Sequence, residues 1–166
     1  KGRTVFLGDT SIYERPTADQ LAQIAISVSK QAKLMGHTPR VALLSFSNFG
    51  NPSGPSTDHI VQAIKKLDSM DVDFEYDGEM SAEVALNYDL QKQRYPFCRL
   101  TGPANILIMP GLHSANISFK LMQQLGGGSV IGPMLMGSQH PFQIVQMGAQ
   151  VNDIVNAAAM AVYETL

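Results

Sequence analysis

Only one cysteine, Cys98, occurs in the chain, so no disulfide can form within it. No basic partner poised to activate it is evident, and it reads as a passive thiol. Charged residues are scarce as well, at 16%, with 12 Lys and Arg against 14 Asp and Glu for a net charge of -2. This balance, with 45% hydrophobic residues, excludes disorder and a highly charged coiled coil. It offers no electrostatic footing for nucleic acid or an anionic membrane, and neither partner is expected. Lys30, Lys33, Lys65 and Lys66 read as solvated helix faces. No apolar run reaches membrane-span length and nothing resembles a secretory signal, so a cytoplasmic location is the default expectation.

The usual catalytic signatures are missing too. His37, His59, His113 and His140 lie scattered, without metal-ligand spacing, so no metal site is expected. Ser45 and Ser47 lack the Gly-x-Ser-x-Gly elbow of a hydrolase triad. The triplet Gly126–Gly128 follows a helical pattern, precedes an apparent strand and has no lysine behind it. It reads as a helix stop rather than a phosphate cradle. No catalytic residue is expected.

What the 166 residues do contain is an alternation of strand and helix patterns with enough apolar content for a sizeable core. The nine methionines read as core filler. Strands are predicted at Thr4–Leu7, Val41–Leu44, Val72–Tyr76 and Asn105–Met109. Thr17 with Gln20 has capping-box spacing, and Leu21, Ile24, Ala25, Val28, Ala32 and Met35 make one helical face ending at Gly36. Ser56 or Thr57 is read as the cap of a second helix carrying Ile60, Ile64 and Leu67. A short helix over Ser81–Leu86 precedes a polar segment, Asn87–Arg99. Further helices are predicted at Ser114–Leu125 and Val151–Tyr163, with an apolar run Val130–Met136 interrupted by Gly132-Pro133. The order implies a three-layer α/β/α domain with a largely parallel sheet.

Ser45-Phe-Ser-Asn-Phe-Gly50 directly follows the strand Val41–Leu44. Residues just beyond the carboxyl end of a strand face the ligand crevice in open α/β folds. This loop, continuing through Asn51-Pro-Ser-Gly-Pro-Ser56, is too long and polar for a simple connector. Asp77 and Glu79, two apart across a glycine, admit an acid/base or metal role, but a structural or subunit-contact role is the stronger reading.

Taken in order, Pro16–Ala25, Val41–Ser47, Asp77–Met80, Gly102–Ile108, Gly126–Pro133 and Asn152–Val155 resemble the phosphate acetyl/butyryl transferase family over nearly the whole chain. The resemblance implies a phosphotransacetylase-like fold of the isocitrate/isopropylmalate dehydrogenase type. Proteins of this family are longer and have two α/β domains. The chain looks like the second domain, residues 1–133, plus a closing segment, residues 134–166, that would pack on a first domain.

Two departures from the family pattern stand out. Ser45-Phe-Ser-Asn-Phe-Gly50 replaces the usual Ser-Phe-Ser-Thr-Lys-Gly and looks like the C-terminal domain of bacterial hybrid NADP-dependent malic enzymes. Gln146-Met147-Gly148 replaces the Ser-Arg-Gly triplet that serves acyl transfer. Met cannot supply the fixed charge of an arginine, so acyl-phosphate chemistry is expected to be disabled. Asp153 matches a family acid, and equally suits a helix N-terminus.

The resemblance therefore implies a regulatory and oligomerisation domain of a malic enzyme, with acetyl-CoA as effector and no cofactor in this portion. NADP and a divalent metal would belong to another domain of the parent, which oxidatively decarboxylates malate to pyruvate. The alternative is an active phosphate acetyltransferase. Effector contacts are expected from Ser45, Ser47, Asn48, Phe49 and Gly50, facing Pro133 and Gly137 across a cleft, with Gln146 on the thioester carbonyl. Each reads equally as a loop-structuring residue. A homo-oligomer, expected as a dimer through this domain, completes the reading.

Overall fold

The computed structural model describes residues 3–126, 130–137, 140 and 142–163. It divides into two units, Lys1–Phe119 and Lys120–Leu166. The first holds a four-stranded parallel sheet in the order β1-β4-β2-β3, formed by β1 (Phe6–Gly8), β2 (Arg40–Leu44), β3 (Glu75–Met80) and β4 (Ile106–Ile108). The central pair β4 and β2 is buried along almost its whole length, which is why both read as uninterrupted apolar runs.

Two helical layers cover the sheet. On one side, Ala42, Leu44, Leu107 and Met109 pack with Val84 and Ala85 of α3 (Ala82–Leu86) and with Ala115. Strand alternation sends Val41, Leu43, Ile106 and Ile108 to the other side. There α1 (Ala18–Leu34) and α2 (Pro55–Asp68) pack on each other and on the strands. The three-layer α/β/α architecture read from the sequence is the one observed.

Helix α1 begins as its sequence dictates. The Thr17 hydroxyl accepts from the Gln20 amide, and the Gln20 side chain accepts from the Thr17 amide at 2.8 Å. Gly36, at φ 78°, lies just past its end. Helix α2 starts earlier than predicted. Gly54 is its N-cap and Pro55 its first residue, because the fixed φ of proline suits that position. Ser56 and Thr57 are thus inside the first turn rather than caps; the Thr57 hydroxyl donates to the Gly54 carbonyl at 2.8 Å.

Strand β3 is shifted relative to its prediction. The alternating Val72–Phe74 lies before it, and Asp77-Gly-Glu79 lies inside it rather than at its end. Pairing with β2 decides this: Val41, Ala42 and Leu43 stand opposite Tyr76, Asp77 and Gly78, and the register shifts between Leu43 and Leu44. A Cβ on Gly78 would sit 2.6 Å from the Leu43 carbonyl oxygen, so only glycine allows this approach. The segment Asn87–Arg99 is also more ordered than its polarity suggests. It contains α4 (Tyr88–Arg94), capped by the Asn87 side chain, with Gln91 buried among Met80 and Val84.

Helix α5 (Leu112–Leu125) begins in the first unit and ends in the second. The second unit also contains α6 (Val151–Tyr163), whose bounds match the prediction. No strand forms over the described part of Val130–Met136, contrary to the reading of that run. Pro133 has no amide to donate, and Gly132 sits at φ 113°. Leu135 instead pairs its amide and carbonyl with the Gln143 side chain, at 3.0 and 3.3 Å. Of the glycine triplet, Gly126 closes α5, its amide donating to the Met122 carbonyl; Gly127 and Gly128 lie outside the described residues.

Candidate functional site

The loop after β2 is built around the end of β3. The Ser45 amide donates to the Met80 carbonyl at 2.9 Å, and the Phe49 amide to the Glu79 carbonyl at 2.7 Å. Asn48 and Asn51 exchange amide–carbonyl bonds at 3.1 Å in both directions. The Asn48 side-chain oxygen accepts from the Ser81 amide at 2.8 Å, tying the loop to the start of α3. The Ser45 hydroxyl accepts from the Ser47 amide at 3.1 Å.

Glu79 is the anchor. One carboxylate oxygen accepts both the Ser47 hydroxyl and the Gly50 amide, each at 2.8 Å. Glu79 is 2% exposed and Ser47 fully buried. Two loop residues adopt left-handed backbone, Phe49 at φ 50° and Gly50 at φ 86°. Phe49 packs edge-on against Phe97, with ring centroids 5.0 Å apart, and tilted against Tyr95 at 5.2 Å.

These contacts sort the expected ligand residues. Ser47 is enclosed and committed to Glu79, so its side chain shapes the loop instead of reaching a ligand from the surface. Asn48 and Phe49, partly buried, also have structural partners. Ser45 is partly exposed and Gly50 exposed. Phe46, which the sequence reading left out, is the loop's most outward side chain, 65% exposed. Tyr95 and Phe97 were also missed. Their signal was the aromatic pair flanking Pro96 in a segment read only as polar.

Asp77, one turn of pleat before Glu79, forms a separate clamp. It accepts from the Gly78 amide at 2.9 Å and the Arg99 amide at 2.7 Å, and pairs with the Arg99 guanidinium at 3.4 Å. Arg99 also pairs with Asp68 at 2.5 Å and stacks over the Tyr76 ring at 4.5 Å. Hydrogen bonds from Arg99 and then from Tyr76 hold the Asp68 carboxyl below its usual range. Burial pushes the Cys98 thiol up to about 11, and the nearby Asp77 charge adds to this. Both acids of Asp77-Gly-Glu79 thus make hydrogen bonds within the fold, and a raised thiol in Cys98 fits its reading as a passive one. Among the described residues no group of three or more His, Cys, Asp or Glu gathers as a metal site.

In the second unit, Pro133 and Gln146 line a cavity of about 180 Å³ with Gln143, Asp153, Asn156 and Met160. Gly137, exposed, is not among its walls. Asp153 accepts from the Gln150 amide at 2.9 Å and so caps the first turn of α6. Met147, where the family pattern has arginine, is fully exposed. Arg99 is the last arginine of the chain, and residues 120–166 hold only Lys120 and His140 as basic side chains.

The parallel α/β sheet with a polar loop after one of its central strands is an architecture shared with solved phosphotransacetylases. The EutD phosphotransacetylase from Staphylococcus aureus superposes with a TM-score of 0.91 at 29% identity, over 100% of this chain and 52% of that one. A phosphotransacetylase from Streptococcus pyogenes gives 0.90 at 31%, over 95% and 48%. The sequence model of the family described as phosphate acetyl/butaryl transferase matches residues 1–162, and the chain belongs to that family. Among curated relatives, the NADP-dependent malic enzyme of Rhizobium meliloti (strain 1021) is 52% identical over 163 residues, 98% of this chain but 21% of that protein. The phosphate acetyltransferase of Treponema pallidum (strain Nichols) is 36% identical over 169 residues, 99% of this chain and 50% of that protein. The chain thus spans a fifth to a half of the length of such relatives.

Proposed function

We propose that the chain is the transferase-like regulatory and assembly domain of an NADP-dependent malic enzyme, binding acetyl-CoA without transferring its acyl group. The observation that carries this reading is Gln146-Met147-Gly148 at the position of the transferase triplet, in a stretch without any arginine. The 52% identity to a malic enzyme, against 36% to a phosphate acetyltransferase, supports the same parent. Loss of a fixed positive donor lowers the rate of the reaction it serves, and the proposal is that the site here retains binding without that reaction. The effector contacts are the exposed side of Ser45–Gly50 and, in the second unit, the cavity of Pro133 and Gln146. NADP and a divalent metal belong to the parent's dehydrogenase portion.

Acetyl-CoA is expected to inhibit malate oxidation by the whole parent, because a ligand that prefers one state of an assembly shifts a distant site. The test is a titration of malate-dependent NADP reduction with acetyl-CoA, each variant normalised to its own uninhibited rate. Gln146→Ala should move the midpoint several-fold, since a lost hydrogen bond costs about 1 kcal/mol. A parent lacking this domain yet equally sensitive to acetyl-CoA would place the effector site elsewhere. The assembly part of the proposal rests on apolar side chains left open on α5, among them Ile117, Leu121 and Leu125. A second copy of this domain as a dimer partner is the expected cover, and sedimentation of the parent with and without the domain tests it.

A further inference from the structure

We infer that Glu79 is the positioning residue of the effector loop: it touches no ligand, but its buried carboxylate imposes the shape in which Ser45–Gly50 meets one. The inference deepens the acetyl-CoA reading and rests on it. Two independent observations carry it. First, a carboxylate that is 2% exposed has no Lys, Arg or His paired with it among the described residues. A buried charge in that position is costly unless donors satisfy it, and the donors here are the Ser47 hydroxyl and the Gly50 amide, both on one oxygen. Both hydrogen bonds described for this carboxylate go to the loop, and what they require of residue 79 is an acceptor oxygen at this reach.

Second, the loop does not take this shape by its own preference. Phe49 occupies left-handed backbone at φ 50°, a region that costs a bulky L-residue energy and persists only when neighbours over-determine it. The bonds bracketing Phe49 come from the same residue: its amide meets the Glu79 carbonyl, and the next amide meets the Glu79 carboxylate. Gly78 permits this by letting β3 approach Leu43 closely just before Glu79. Strand β3 thus presents one acid that fixes the backbone turn at 49–50, and the turn decides which way Ser45, Phe46 and the open side of Gly50 face.

The geometry separates reach from charge. Glu79→Gln keeps a carbonyl oxygen at the same distance and loses the charge. Glu79→Asp keeps the charge but withdraws it by one methylene, beyond hydrogen-bond range of Gly50. In the intact parent, calorimetric titration with acetyl-CoA should give Glu79→Gln within about threefold of the native affinity and Glu79→Asp at least tenfold weaker. Amide hydrogen exchange supplies a readout that needs no ligand. Gly50 should stay protected in the native protein and in Glu79→Gln, and exchange much faster in Glu79→Asp. Native affinity in Glu79→Asp, or equal loss in both variants, overturns the positioning role. Retained Gly50 protection in Glu79→Asp overturns it as well. A native parent that binds no acetyl-CoA, with the exchange pattern as stated, refutes the effector reading and leaves the loop anchor standing.

Discussion

At the scale of single residues, neighbouring acids and the one thiol behave differently because of what surrounds them. Glu79 accepts hydrogen bonds from the Ser47 hydroxyl and the Gly50 amide, whereas Asp77 shares Arg99 with Asp68. Cys98 sits half-buried beside Asp77, with the thiol held up to about 11. At pH 8 only about one molecule in a thousand would then carry the thiolate, the reactive form. Alkylation of the folded chain by iodoacetamide at pH 8 should therefore be far slower than that of a free thiol, and should accelerate on unfolding in urea. Folded-state labelling at the free-thiol rate would show that the burial argument is wrong. The Asp68–Arg99 pair is largely exposed, so it contributes less than about 1 kcal/mol despite its short distance. Because the Asp68 carboxyl is held low, that contribution is present above the ordinary value of 3.8 and is lost as pH falls through its lower folded value.

At the scale of elements, the strength of the local signal decided what was readable. The capping box of α1 is a reciprocal pair of bonds between residues three apart, so the sequence alone identifies it. Thr17→Ala removes the hydroxyl that the Gln20 amide needs, and should cost about 1 kcal/mol in urea unfolding. A change below a few tenths would mean that packing of Leu21 and Ala25, not the cap, sets the helix start. The central strands and α6 were equally legible from their apolar runs. Strand β3 was not, because Asp77, Gly78 and Glu79 are poor strand formers and only pairing with β2 draws them in. Likewise α4 hides in a polar segment, held by the Asn87 cap and the buried Gln91. The candidate loop was visible from its place after β2, but its internal bonds were not. Nothing local to Ser47 announces that its hydroxyl is enclosed by an acid 32 residues away.

At the scale of the whole molecule, family membership comes without the family's charged triplet. The family model matches residues 1–162, yet the second unit has no guanidinium anywhere in its sequence. Acyl transfer between a thioester and phosphate gathers negative charge on a phosphate and on a developing oxyanion. Preorganised positive donors stabilise that charge, and loss of a single such donor typically costs about a hundred- to a thousand-fold in rate. Met147 contributes no charge and no donor, and Gln146 is an uncharged amide with no nucleophilic hydroxyl or basic nitrogen. The parent protein assayed with acetyl-CoA and inorganic phosphate should therefore form no acetyl phosphate above the uncatalysed background, while acetyl-CoA still binds by calorimetry. Turnover at the rate of an ordinary phosphate acetyltransferase, abolished by Gln146→Ala, would show that other residues have replaced the missing pair and that the domain is an enzyme in its own right.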